Sequence, residues 1–419
     1  MRYIADLHIH SRYSLATSKA LSPTTLHAAA RLKGLTVLGT GDFTHPAWIK
    51  ELTEQLEPAE PGFFRLRDER RKQAERTVPA SCRGEVRFVL QAEISNIYKK
   101  DGKTRKVHNL VYAPDFETAA RIAKPLGKLQ NLASDGRPIV KLDSAELLKI
   151  VLAESNRAFL IPAHIWTPHF SVLGAFSDFG SLEECYGESA GKIFAVETGL
   201  SSDPPMNWRV SSLDRVALIS NSDAHGPGKL AREANFFDTE LSYDEMVAAL
   251  RRKDGKTFRG TLEFFPEEGK YHLDGHRACG VCLTPAETRK HGGRCPKCGK
   301  KITRGVCHRV EALADRPAGA KPKGALPYER LVALRTVLSE AMGVGPASKK
   351  VGAAYENLLA ALGSELFVLR EAALEDIASA GAPPVAADAI GRMRRGEVRV
   401  APGYDGQYGV VRLLPSGTS

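Results

Sequence analysis

Short apolar runs alternate with helix-like stretches over residues 1–265. The runs are RYIADL (2–7), LTVLG (35–39), VRFVLQ (86–91), NLVYA (109–113), AFLIPA (158–163), KIFAV (192–196) and RVALIS (215–220). Each has the length and side chains of a buried strand. Among the stretches between them, LSPTTLHAAARLKGL reads as a helix, with Ser22 as cap, Pro23 in the first turn and Gly34 at the C-terminal end. The alternation predicts a mostly parallel α/β domain, and seven runs suit a barrel better than an open sheet. One pair breaks the pattern. EISNIYKKDGKTRKVHNLVYA reads as a hairpin turning at Asp101-Gly102, with Lys100 opposite Lys103 and Ser95 opposite His108. Glu93 then shares a face with His108, a diagonal neighbour about 7–8 Å away.

The residues that end these runs change the picture. DLHIHS places His8 and His10 on one side of an extended chain, because side chains alternate with period two. GDFTHP adds Asp42 and His45, QAEIS adds Glu93, IPAH adds His164, and SNSDAH adds Asp223 and His225. In parallel α/β folds the carboxyl ends of the strands share the face that holds the active site. With His108 from the hairpin, these side chains form a candidate ring of ligands for Zn, Mn, Mg or Fe. Two or three divalent cations sharing a carboxylate suit phosphoester hydrolysis, because they acidify bound water and neutralise charge on the phosphoryl oxygens.

Composition separates the C-terminal part. Five of the seven cysteines fall within residues 279–307, and CGVC with CPKC predicts a structural zinc on Cys279, Cys282, Cys295 and Cys298. Of the net charge of +10, residues 271–419 carry +8. No acid lies between Glu287 and Glu311, whereas Arg294, Lys297, Lys300, Lys301 and Arg304 do, which suggests a polyanionic partner. Residues 328–395 read as helical, and VRVAPGYDGQYGVVRLL as a terminal β-hairpin turning near Asp405-Gly406. GVGPASKKV resembles a helix-hairpin-helix turn, with Gly343 and Gly345 allowing phosphate approach and Lys349 and Lys350 adding charge. The N-terminus has no signal-peptide pattern and no apolar stretch spans a bilayer, so a cytoplasmic location is expected, with no membrane partner.

Together, DLHIHS, GDFTHP, QAEIS, VHNLVYAP, IPAH and SNSDAH resemble the ordered motifs of PHP-superfamily phosphoesterases. The resemblance implies an α/β fold with a distorted (β/α)7 barrel at 1–265. With the cysteine cluster and the helical tail, the chain then divides into three units in order: that barrel, a zinc module at 266–325, and a mostly helical DNA-binding domain at 326–419. The resemblance implies one ion on His8, His10, Glu93 and Asp223, a second on Glu93, His108 and His164 with Glu93 as the bridge, and a third site using Asp42 or His45 with His225; Asp223 is then the expected essential ligand and Asp42 a catalytic base or third-site ligand. Phe43 and Thr44 separate Asp42 from His45, where many relatives have His directly after Asp. No acid or His follows the His8–His10 pair closely either. The motif order through the zinc module and PGYDGQYG is similar to the endonuclease Q family, a DNA-repair branch of the superfamily. That implies nicking 5′ of deaminated bases (uracil, hypoxanthine, xanthine) or abasic sites in damaged DNA. Arg12, Lys19, Arg209 and Lys229 are candidate phosphate contacts. Tyr13, Trp48, Trp166, Phe170 and Tyr186 are candidates to stack a flipped base. A small-molecule phosphatase, a less specific nuclease and a non-catalytic DNA-binding protein are the alternatives.

Overall fold

The structure, a computed structural model, describes residues 1–415. Its strands are β1 (Arg2–Asp6), β2 (Val37–Gly39), β3 (Leu56–Pro58), β4 (Phe64–Leu66), β5 (Arg87–Lys100), β6 (Lys103–Ala113), β7 (Ile139–Val140), β8 (Phe159–Pro162) and β9 (Ala195–Glu197). After these come β10 (Ala217–Ile219), β11 (Ala234–Asp238), β12 (Phe258–Glu263), β13 (Asp274–His276), β14 (Val281–Leu283), β15 (Tyr328–Arg330), β16 (Arg399–Ala401) and β17 (Val410–Arg412). All seven expected runs are strands, and helix Pro23–Lys33 forms as read. Ser22 closes a capping box, and Gly34 ends the helix in the left-handed region at φ +94°. The hairpin also has the expected register, pairing Lys100 with Lys103 and Ser95 with His108.

The sheet is mixed, which corrects the mostly parallel expectation. β1, β2 and the first part of β5 pair in parallel, as do β9 and β10. β11 pairs antiparallel with β1, β12 with β11, and β6 with both β5 and β8. The hydrogen-bonded ladder does not close, because β9 and β10 form a separate sheet. The strands still surround one interior. Tyr3, Val37, Val89, Leu110, Ile161, Ala195, Ile219, Phe237 and Phe258, drawn from nine strands, lie in a single apolar cluster. Strands β11 and β12 escaped the sequence reading because Asn235, Arg259, Gly260 and Thr261 interrupt their apolar character.

The boundary expected at 326 falls just before β15. After the cysteine-rich segment, β15 returns to pair with β12, so the sheet takes in residues 328–330 before the helices begin at Leu334. Helices Leu334–Met342 and Lys349–Leu362 flank the expected turn, and Gly343 sits at φ +61°. The terminal hairpin β16–β17 forms, with its turn at Asp405 and Gly406. No described helix is long and apolar enough to cross a membrane.

A buried ion pair locks the C-terminal helices to the sheet domain. Lys33 Nζ lies 2.6 Å from Glu365, which also accepts from the Leu334 amide and the Tyr355 hydroxyl. Removing one partner of such a pair leaves a buried charge, at a cost of about 3–5 kcal/mol. Glu365→Ala is therefore expected to lower the urea midpoint strongly, and Lys33→Met with Glu365→Leu to restore only part of the loss, because the Leu334 amide and the Tyr355 hydroxyl still lack their acceptor. An unchanged midpoint in Glu365→Ala would show that the pair anchors nothing. A second expectation concerns Glu263, the last residue of β12. Burial pushes its carboxyl from 4.5 up to about 8, with nearby Asp203 adding to the effect. The folded state then keeps a proton that the unfolded state releases, so stability falls as pH rises from about 4.5 to 8. Glu263→Gln should flatten that decline in a thermal-melt series, and an unaltered slope would contradict the assignment.

Candidate metal centre

The site is built where β1, β2, β8, β9 and β10 end, against the faces of β5 and β6. The segment after β10 is stitched beside the segment after β1. Asn221 accepts from the Leu7 amide, His10 N donates to Ala224 O at 3.1 Å, and Asp6 accepts from the Ser222 amide. These bonds bring His8, His10 and Asp223 together although more than 200 residues separate them. Asp42, His164 and Asp223 all hold left-handed backbone, at φ +46°, +28° and +47°. That conformation is unfavourable for side-chain-bearing residues and collects at functional sites.

Two ligand groups form around one carboxylate. His8, His10, Glu93 and Asp223 offer ligand atoms all within 4.8 Å of one another, and so do Glu93, His108 and His164. Glu93 Oε2 faces His10 Nε2 at 3.3 Å and His8 Nε2 at 3.7 Å. Its Oε1 faces His108 Nδ1 at 2.6 Å and His164 Nε2 at 3.0 Å. Two observations fit divalent cations. His8 Nε2 is buried without a hydrogen-bond partner, although it points at two carboxylates. The ring nitrogens of His108 and His164 stand 3.3 Å apart, so a cation or proton must separate their lone pairs.

Further carboxylates hold the outer edges of the rings. His8 Nδ1 donates to Glu197 at 3.1 Å, and His10 Nδ1 to Asp42 at 3.2 Å. This leaves each Nε2 lone pair facing the centre, an arrangement that strengthens a histidine ligand. Glu197 was missed in the sequence, although it ends its run as the other site residues end theirs. Burial disfavours a charged His8, but Glu197, Asp223 and Glu93 raise its pKa well above the imidazole norm. Burial would likewise raise Asp223, yet His8 and His10 hold its carboxyl far below the usual range. Burial dominates at His108, lowering it to about 4 and favouring the neutral ligating ring.

Among the described residues, Asp42, His45 and His225 do not join a third ligand group. Asp42 Oδ2 already accepts from the Ser11 amide, the Ser11 hydroxyl and the Ser14 hydroxyl, so Asp42 is a buried support and not a free base. His45 bonds the Ala133 carbonyl and stacks on Tyr13 at 4.4 Å. His225 lies against the His10 ring at 4.5 Å, outside both ligand groups.

Residues 333–397 match a family described as the MJ0043 C-terminal domain. YqxK of Bacillus subtilis is 31% identical over 97% of this chain and 98% of its own length. The lesion-specific endonuclease PfuEndoQ of Pyrococcus furiosus superposes with a TM-score of 0.85 at 31% identity, covering all of this chain and 96% of that one. Endonuclease Q bound to a 27-mer duplex with an abasic lesion superposes at 0.83 and 32% identity, over all of this chain and 98% of that one. The chain belongs to the endonuclease Q family.

In this endonuclease Q family member the cysteine module departs from the expected ligand set. The converging group is His276, Cys279, Cys295 and Cys298, and Cys282 lies outside it. In the β13–β14 ladder Cys282 pairs with Gly275 while His276 pairs with Val281, so neighbouring rungs carry the two candidates. The sequence did hold a signal. His276-x2-Cys279 repeats the spacing of Cys295-x2-Cys298, as a knuckle requires. Burial disfavours a thiolate at Cys295, but the Lys297 and Cys298 amides point at its sulfur and lower its pKa.

Several expected nucleic-acid contacts serve other purposes. Trp48 and Trp166 are fully buried, and their indole N–H groups donate to Gly41 O and Asn207. Tyr186 is core and bonds Asn109. None of the three can stack a base. Tyr13 is half-buried and its hydroxyl donates to Glu51, whereas Phe170 remains on the rim with its ring 4.6 Å from that of His108. Arg209 bonds Glu311 and Arg316 O, tying the sheet domain to the cysteine-rich segment. Arg12 is engaged by Glu51, and Lys19 Nζ donates to Arg12 O. Arg294 and Lys297 donate to the carbonyls of Gly299 and Cys279. Lys229, Lys300, Lys301, Arg304, Gly345, Lys349 and Lys350 stay exposed. Zinc content after chelator dialysis tests the revised set. Cys282→Ser should keep one ion in the module, and His276→Ala should lose it; the reverse pattern would restore the four-thiolate reading.

Proposed function

We propose that this chain is a DNA-repair endonuclease that hydrolyses the phosphodiester 5′ of a deaminated base or an abasic site. The observation that carries the reading is the pair of ligand groups sharing Glu93 at a mouth built from distant segments. Full-length similarity to lesion-specific endonuclease Q supports DNA over a small phosphoester as substrate. Divalent cations held by these residues would supply Lewis-acid charge and acidify water near the phosphate. His8, His10, His108 and His164 present the ring nitrogens for that purpose, with Glu197 and Asp42 fixing two of the rings. Asp223 keeps 26% of its side chain exposed, so it is the carboxylate that meets both the ligand cluster and an entering backbone. The exposed cations of the zinc module and Lys349–Lys350 line up with backbone binding that salt weakens. Phe170 is the remaining candidate to stack a displaced base.

End-labelled duplexes carrying one uracil, hypoxanthine or abasic site test this reading in the presence of Mg²⁺, Mn²⁺ or Zn²⁺. Nicking 5′ of the lesion is expected, with undamaged duplex left intact. Asp223→Asn should lower nicking by roughly 100- to 1,000-fold while DNA affinity changes little. Equal cutting of undamaged duplex would remove the lesion assignment, and normal nicking by Asp223→Asn would remove the role given to that residue.

A further inference from the structure

We propose that Arg137 contacts the substrate, donating to a non-bridging oxygen of the phosphodiester that is cut. The inference rests on the nuclease reading and adds a residue that the ligand motifs do not contain. Arg137 Nη1 reaches Glu93 Oε2 at 3.2 Å. His10 Nε2 and His8 Nε2 face that same oxygen, so the arginine stands where the first ligand group converges. Divalent cations held by His8, His10, Glu93 and Asp223 would neutralise Glu93, and Arg137 would then be free to turn its guanidinium to an arriving phosphate.

Its donors are available for that exchange. Among the described residues, the guanidinium makes this one hydrogen bond, although it carries five N–H groups in a fork that matches two phosphate oxygens. Other cations near the mouth are committed. Arg232 donates to the carbonyls of Ser222 and Asp223, and Lys106 lies over the Phe170 ring. Three quarters of the Arg137 side chain is shielded from solvent.

The backbone that carries Arg137 is fixed in advance. Gly136 N donates to Tyr13 O at 3.0 Å, and Ser95 N donates to Pro138 O at 3.0 Å. Asp135 accepts from the amides of both Leu15 and Arg137. A Cβ at Gly136 would meet Asp42 Oδ2 at 2.4 Å and Ser14 Oγ at 2.5 Å, so only glycine lets the loop lie this close. A donor held in this way needs little reorganisation as charge builds on the phosphate.

The test compares wild type, Arg137→Gln and Arg137→Lys, all loaded with metal, on a single-lesion duplex. Arg137→Gln should lose about 100-fold in kcat, with KM within about threefold and the same number of bound ions. Arg137→Lys should recover part of the loss, because it restores charge without the fork. Inorganic phosphate should bind the loaded Arg137→Gln protein about tenfold more weakly than wild type, measured by calorimetry. A kcat within threefold of wild type, or a loss of kcat accompanied by loss of bound ions, would overturn the proposal. If wild type cuts no duplex, the nuclease reading fails, and the phosphate titration still decides the role of Arg137: equal affinities would reject it.

Discussion

Glu93 is the constraint around which the site is arranged. It is a fully buried carboxylate with four imidazoles facing its two oxygens. An isolated buried carboxylate is costly, and cations are what make such burial tenable. The strand order follows from that need. β5 carries Glu93 at the centre, β6 brings His108 beside it through a two-residue turn, and β1 and β8 deliver the remaining rings from either side. A helix in place of that turn could not set His108 on the same face at this distance.

The second requirement is fixed ring orientation. Glu197 and Asp42 take the outer nitrogens of His8 and His10, and Thr167 takes that of His164. Each therefore presents one nitrogen inward. The left-handed backbone at Asp42, His164 and Asp223 turns the chain sharply as it leaves a strand, so the side chain lies over the mouth. Such strain is tolerated because Asn221, Asn235 and the Gln91 side chain bond the backbone from below.

Much of this was legible in the sequence, for identifiable reasons. The runs are short and apolar with turn residues around them, and Asp101-Gly102 sets a register that places Ser95 opposite His108. The ligand types at the run ends then pointed to one face. Features set by tertiary pairing were not legible. Asp42 reads as a ligand, but Ser11 and Ser14 occupy its free oxygen. Arg209 reads as a phosphate contact, but Glu311 claims it from over a hundred residues away. Cys282 fits a CxxC pattern, yet the β13–β14 register favours His276. Trp48 and Trp166 lie beside ring motifs, but their indoles face inward to buried acceptors. Arg137 carries no local signal, because its loop is placed by bonds to Tyr13, Leu15 and Ser95.

Counting metal ions by native mass spectrometry tests the central claim most directly. The account predicts three ions per chain: two in the groups that share Glu93, and one on His276 and the three cysteines. Glu93→Gln should reduce the count to the module ion alone. A native protein that holds only the module ion, or a Glu93→Gln protein that still holds all three, would contradict the account.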